Sequence, residues 1–485
     1  MIGCTLSIVA TLAFSQPTLA QTGSAPDHLP PDRPPPGMLL TSIEAEDAII
    51  AGRNDMMAFR MDAAEATFET LLREPGNDEA ALYHLAALTF VKAMIEQNEP
   101  AYTAFFERSD ALLDLVDDWD DWDDRDRSAW LYFFDAENYL MRAFVYGRKG
   151  NFLRSAVSAR EAYEVYLDAL RADPTLIDAE SGIGLLKAMI GATPPAYKKF
   201  LKLLGYTGTI EEAVRLLDHA SSKARYNGSQ AALFRDLTSV YMNKDRGEAT
   251  ERLAIRYRED KNPATGLMYA FALRYSRKPE EAVDVAREGI KISKGPEFMH
   301  VPFLYFHLGS ALFSLNRFEE AASELDHYVR VFKGQSYKAT AQVRLGLSLE
   351  MMGRREEAEF VYQQIEAPTE FDIDVAAERA AGDLIASPLS ENRKILLRGR
   401  NAVSSGRSEE ALAWLEPVFF GPDADDADRT EAAYWLGRAH HVAGNLEAAA
   451  TKYVYVRTHP AGKDLRWWPW ATYYLGRIRA TENRP

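Results

Sequence analysis

After Cys4 this 485-residue chain contains no cysteine at all. Everything downstream is therefore without disulfides, thiol nucleophiles or cysteine-based metal sites. Positive charge is also in short supply. Lys and Arg total 56 against 72 Asp and Glu, leaving a formal net charge of −16. A nucleic-acid-binding chain would ordinarily carry a basic excess, so that class falls away, and the acidity argues mainly for solubility. No apolar run approaches the roughly 20 residues that cross a bilayer as a helix. No stretch of useful length alternates as a strand does. A Gly-rich phosphate loop, a His-Glu-x-x-His helix, a nucleophile elbow and a supported carboxylate pair are all missing. The chain is expected to be non-enzymatic and to need no cofactor and no metal.

The first twenty residues read as a secretory signal, with an apolar core at Thr5–Phe14 and a small-x-small site at Thr18-Leu19-Ala20. One feature departs from that pattern, because no Lys or Arg precedes the apolar core. A start further upstream and inefficient export are the two alternatives. Met-Ile-Gly-Cys resembles a lipoprotein box, but here the apolar stretch follows the cysteine, so a lipid anchor is not expected. Residues 21–38, with Leu-Pro-Pro-Asp-Arg-Pro-Pro-Pro, form an exposed linker of polyproline character. The chain is expected to be exported to the periplasm or cell envelope.

What the sequence does have is a spacing. A glycine is followed twelve residues later by an alanine at Gly52/Ala64, Gly309/Ala321, Gly346/Ala358, Gly399/Ala411 and Gly437/Ala449. Only small residues let two helices cross closely, so the spacing predicts a helix, a tight turn and a second helix. A glycine or asparagine lies seven residues after four of these glycines, at Asn316, Gly353, Gly406 and Gly444. With the first small residue as position 8, the phase continues through Ala86, Phe144, Gly182, Leu237, Ala270 and, at the far end, Gly476. Large residues fill position 24, among them Phe68, Leu325, Tyr362, Leu415 and Tyr453. Prolines at 75, 174, 263 and 460 are read as closing second helices. Three long steps mark insertions at 117–127, 191–209 and 371–387, the last read as an added helix.

A period near 34 with small residues at these positions resembles the tetratricopeptide repeat superfamily across essentially all of residues 40–480. The resemblance implies an all-α, right-handed superhelical solenoid of about ten hairpins. Residues 39–260 would form an N-terminal array with insertions, and 261–485 a C-terminal array ending in a capping helix. The segment 182–220 is similar to one in exported bacterial tetratricopeptide proteins and in the inclusion-body-clearance family. That likeness rests on its Gly-x-Gly helix, Pro-Pro break, basic Lys/Leu helix and Gly-aromatic-x-Gly turn. Those relatives are regarded as non-enzymatic adaptors, which implies a binding role and supplies no catalytic residue.

Several features have bland readings that are preferred. The acidic run at 117–124 and Asp423, Asp425, Asp426 and Asp428 lack a calcium loop's glycine and glutamate, and read as helix-capping connectors. His440 and His441 are adjacent, so they face different ways and do not form a chelating pair. The basic helix 197–204 reads as packing more than membrane contact. The cluster Trp467-Trp468-Pro469-Trp470 with Tyr473 and Tyr474 reads as a cap over the last apolar face; exposed, it would be a partner or glycan surface.

In tetratricopeptide arrays the first helix lines the inner groove through positions 2, 5, 9, 12 and 13. Position 9 is Arg400, Arg438 and Arg477 in the last three units, with Tyr434, His441, Trp470 and Tyr473 at neighbouring groove positions. Guanidinium forks suit carboxylates. The expected function is a protein–protein scaffold of the cell envelope whose groove receives a partner peptide, either an acidic segment or a C-terminal carboxylate. The alternative is a glycan- or cell-wall-binding repeat protein using the C-terminal aromatics. Nucleic acid is not an expected partner, and the oligomeric state is not specified by the sequence.

Overall fold

The computed structural model describes residues 43–118, 128–193, 202, 206–242, 245–295, 298–366, 373–460 and 467–481. Two of the three insertions, 117–127 and 191–209, fall largely outside these residues, as do the signal and linker. The described residues hold 22 α-helices. Ten hairpins succeed one another: α1 (Ile43–Met57) with α2 (Met61–Leu71), α3 (Asp78–Glu96) with α4 (Glu99–Asp118), α5 (Ala129–Arg148) with α6 (Phe152–Ala172), α7 (Ala179–Ala192) with α8 (Ile210–Lys223), and α9 (Gly228–Tyr241) with α10 (Arg246–Glu259). They continue as α11 (Pro263–Tyr275) with α12 (Pro279–Ile292), α13 (Val301–Ser314) with α14 (Phe318–Val331) and α15 (Lys338–Met351) with α16 (Arg355–Gln363). The added helix α17 (Ile373–Ala386) intervenes. Then come α18 (Glu391–Ser404) with α19 (Ser408–Phe420), α20 (Asp426–Val442) with α21 (Leu446–Thr458), and the lone α22 (Trp467–Thr481). The described residues form an all-α succession of helical hairpins. No described helix is long and apolar enough to cross a membrane.

Every position-8 residue lies on the first helix of its unit, and where it is a glycine of the repeated pair the reason is visible. A Cβ at Gly52 would meet the Phe68 ring at 2.5 Å, one at Gly309 would meet Leu325 at 2.7 Å, and one at Gly437 would meet Tyr453 at 2.7 Å. At Gly346 it would overlap the Tyr362 ring, and at Gly399 Leu415. In all five the obstructing side chain is position 24, sixteen residues on. The alanines of position 20 are fully buried but do not meet these glycines most closely. Position 15 is the turn, and its backbone is left-handed at Phe59, Arg277, Asn316, Gly353, Gly406 and Gly444. Glycine and asparagine tolerate that conformation; Phe59 and Arg277 do so at a cost of roughly 1–2 kcal/mol each. Pro263 occupies the first turn of α11 behind the Asn262 cap, so it opens a first helix and does not close a second. Asp425 caps α20 by accepting from Asp428 N at 2.7 Å, the role expected of that acidic cluster.

The apolar interior is not one stack. A single large core runs from Ala45 to Leu397, and two smaller ones serve the end of the chain, one around Leu415 and Leu436, the other around Tyr453 and Leu475. Early hairpins close back on later ones. Gln97 Oε1 accepts the N–H groups of Gln335 and Ser336 at 3.0 Å each, and the Phe59 ring stacks on His300 at 4.1 Å. The C-terminal hairpins also double back. Asn401 Nδ2 donates to the Phe313 carbonyl at 2.8 Å and to Asn316 Oδ1 at 3.0 Å, while Arg407 Nη2 and Ser405 Oγ both donate to the Ser314 carbonyl at 2.8 Å. Repeat units ordinarily pack on neighbours alone. Here α17 packs on α15 and α16. Helix α18 lies against α13, two units earlier.

Gly309→Ala places a Cβ 3.1 Å from the Leu325 backbone nitrogen as well as on its side chain. It is expected to destabilise by about 1–3 kcal/mol through overpacking. Gly476 is a helical position-8 glycine with no atom within 4 Å of its Cβ position. Gly476→Ala is expected to stabilise by up to about 1 kcal/mol through helix propensity alone. Equilibrium urea unfolding of both variants checks the contrast; equal effects would refute the crossing account.

Candidate functional site

The fold-back leaves an open cavity of about 470 Å³ between the C-terminal hairpins and the inner faces of α11, α13 and α15. Arg274 and Tyr275 enter from the end of α11, Arg277 from the α11–α12 turn and Arg344 from α15. Tyr434, Trp435 and Arg438 face them from α20, with Trp470 and Tyr474 from α22. A second cavity of about 570 Å³ shares Ser314, Arg344, Ser404, Trp435 and Trp470 and adds Arg400, Thr340 and Val343. These volumes lie in the range of ordinary ligand sites.

The arginines here differ from those that pair on the outer helices. On the outer helices guanidiniums pair with glutamates, as in Arg287–Glu320, Arg317–Glu320 and Arg354–Glu357. Among the described residues no ion pair forms at Arg274, Arg277, Arg344 or Arg438. Arg274 and Arg344 both lie on the Phe306 ring, at 5.3 and 5.7 Å. Arg344 Nη1 donates to Ser310 Oγ at 2.6 Å, and Arg274 Nη1 sits 2.6 Å from His307 Nδ1. A guanidinium only donates, so His307 Nδ1 accepts and its proton is on Nε2. Burial, then Arg274 and Arg344, hold His307 well below its usual pKa, which keeps it neutral.

Burial also pushes the Arg344 guanidinium down to about 9, with Arg274 and then Arg400 adding repulsion. Asp374, whose charge Arg344 feels, is committed to the N–H of Thr340 at 2.9 Å and that of Ala339 at 3.3 Å. Arg277 is lowered by burial and next by Arg438. Arg438 stacks on Tyr474 at 4.0 Å, and its buried Nε has no partner among the described residues. Tyr434 is pushed up to about 12 by burial, so it stays a neutral donor. Two unit charges about 8 Å apart repel by about 2 kcal/mol at an effective dielectric of about 20.

The structure brings together some of the residues expected from the sequence. Tyr434, Arg438 and Trp470 line the first cavity, and Arg400 and Trp470 the second. Arg477 and Tyr473 are exposed and line neither, with Arg477 lying 5.8 Å from the Tyr473 ring. His441 lies behind the cavity, edge-on to Tyr474 at 5.6 Å and 3.4 Å from the Tyr453 hydroxyl. Trp467 is buried against Tyr434, rings stacked at 4.8 Å, which is the capping role. Trp470 and Tyr473 remain exposed.

Missed in the sequence were Arg274, Tyr275, Arg277, Arg344 and Trp435, while Tyr474 is legible there only as a member of the aromatic cluster. Arg274 and Tyr275 hold groove positions 12 and 13 of the unit phased on Ala270, so extending the count upstream would have found them. Arg344, Trp435 and Tyr474 share position 6, outside the positions counted. Among the described residues no group of three or more His, Cys, Asp or Glu could hold a metal ion.

No protein-family model matches the chain, and no curated protein matches it. Solved structures do. A Rap protein complexed with competence and sporulation factor is similar at 14% identity, over 90% of this chain and 99% of that one, with a TM-score of 0.35. The P58(IPK) TPR domain is similar at 11% identity, over 91% of this chain and 100% of that one, with a TM-score of 0.20. Likeness at these levels says nothing about ligand or activity.

Arg277 occupies a turn position that glycine fills in three sister hairpins, and strained residues cluster where function holds them. Arg277→Gly is expected to raise stability by about 1 kcal/mol as the left-handed strain is relieved. It should also reduce the rise in melting temperature that phosphate produces over chloride at matched ionic strength. Differential scanning fluorimetry measures both; loss of stability, or an unchanged phosphate response, would contradict the assignment.

Proposed function

We propose that this chain is a non-enzymatic protein-interaction scaffold that receives an acidic peptide segment in the cavity between its C-terminal hairpins and α11–α15. The observation that carries the reading is the uncompensated arginine cluster. In a chain of net charge −16, four guanidiniums converge on one aromatic-walled cavity with no carboxylate paired to them among the described residues. Arginine forks match carboxylates bidentately, and a charge-assisted bond to an anion restores what burial has removed. Tyr434, Trp435, Trp470 and Tyr474 supply the apolar wall that a peptide backbone and its side chains need. The signal-like residues 1–20 support export, so the partner is sought in the cell envelope. No separate observation favours the carbohydrate reading.

The test is fluorescence anisotropy with a labelled, glutamate-rich peptide at 50 and 200 mM salt. Arg438→Glu combined with Arg277→Glu is expected to weaken binding at least about 30-fold, equivalent to about 2 kcal/mol. Arg477→Glu, outside the cavity, is expected to change it less than about 3-fold. Equal losses in both variants would indicate a diffuse surface attraction and overturn the reading.

A further inference from the structure

We infer that the cavity holds two separate anion positions, and that its ligand is a peptide presenting two acidic side chains at a fixed spacing. This rests on the acidic-peptide reading above and narrows it. The arginines are arranged as two couples, although Arg274 and Arg277 belong to one hairpin, where the Arg277 N–H donates to the Arg274 carbonyl at 3.3 Å. Arg274 and Arg344 share the Phe306 ring and are anchored from behind by His307 and Ser310. Arg277 and Arg438 belong to the other couple, where the turn between α11 and α12 approaches the Tyr474 ring that Arg438 covers.

The strongest electrostatic neighbours follow the same grouping, with Arg400 next for Arg344 and Arg246 next for Arg277. The cation felt most by Arg344 is Arg274, and the cation felt most by Arg277 is Arg438. One carboxylate has two oxygens and is matched by one fork or by one couple. A ligand with a single anionic group therefore leaves the second couple as repulsive as it was. Both couples line the same cavity, so a single short ligand can reach both. The supports differ in kind as well. Phe306, His307 and Ser310 belong to the rigid inner face of α13, whereas Arg277 stands in a left-handed turn and Arg438 comes from the folded-back hairpins. How far Arg438 stands from the Phe306 couple is thus set by how the C-terminal hairpins dock, which makes spacing a specificity determinant.

The experiment uses the full chain and synthetic peptides with blocked termini on a Gly/Ser backbone, so that only side chains carry charge. One series has no glutamate, one has a single glutamate, and one has two glutamates separated by one to six residues. Isothermal titration is expected to show one preferred separation, bound at least about 10-fold tighter than the single-glutamate peptide. Arg344→Met or Arg438→Met should each reduce that best peptide to the single-glutamate level. Each should weaken the single-glutamate peptide by less than about 3-fold, because the other couple remains. Arg344→Gln and Arg438→Gln serve as second variants, and unchanged far-ultraviolet circular dichroism confirms the fold. If two-glutamate peptides bind equally at every separation, the cavity is an acidic-peptide site without two positions, and this inference fails while the parent reading stands. If no acidic peptide binds the unmodified chain, both fail.

Discussion

The contact between the position-8 residue of one helix and the position-24 side chain of the next is the constraint on which the rest of the molecule depends. Each helical glycine costs about 1 kcal/mol in propensity. Burying the aromatic or leucine that fills the vacated space contributes about 1.5–3 kcal/mol in return. Because the same pair recurs sixteen residues apart, the hairpins have nearly the same crossing, and their inner faces stay in phase. Only then do positions such as 9, 12 and 13 point consistently inward. Gly182 and Gly184 show how the rule bends near an insertion. Gly182 receives Tyr166 from the preceding unit, and Gly184 receives Leu217 from beyond the interrupted stretch.

A regular stack of this kind would present its groove as an open surface. The walled cavity exists because the regularity is broken once. Helix α17 adds a third helix to the eighth unit, and the following hairpins take their long-range hydrogen bonds from the Phe313–Asn316 turn. Inner faces that would have pointed along the groove then oppose each other. Arginines acceptable singly on a solvated wall become a cluster, and burial raises the strength of every charge among them.

Local features were legible in the sequence because they are periodic. The glycine spacing located five first helices, the Asn/Gly positions seven residues later located four of the left-handed turns, and the long step before Gly399 announced α17. The arginine row was partly legible, since Arg400 and Arg438 face cavities while Arg477 does not. What period cannot carry is the docking of one part of the array on another. Asn316 and Asn401 are 85 residues apart in sequence and carry no mark of their meeting. Arg277 escaped for a different reason, because it stands in a turn, where helical phase assigns no face. The glycan alternative drew on an aromatic run whose first member, Trp467, is consumed by packing on Tyr434 and Trp435.

The Asn401, Ser405 and Arg407 bonds to the Phe313–Asn316 turn have a kinetic side. They are few and polar, and they join a small core to a large one, so separating the two bodies is a sub-global opening of lower free energy than unfolding either. The cavity is a seam between those bodies. A ligand that supplies its missing negative charge therefore also acts as an adhesive across the seam. Its residence time would be governed by how often the seam parts, more than by any single bond it makes.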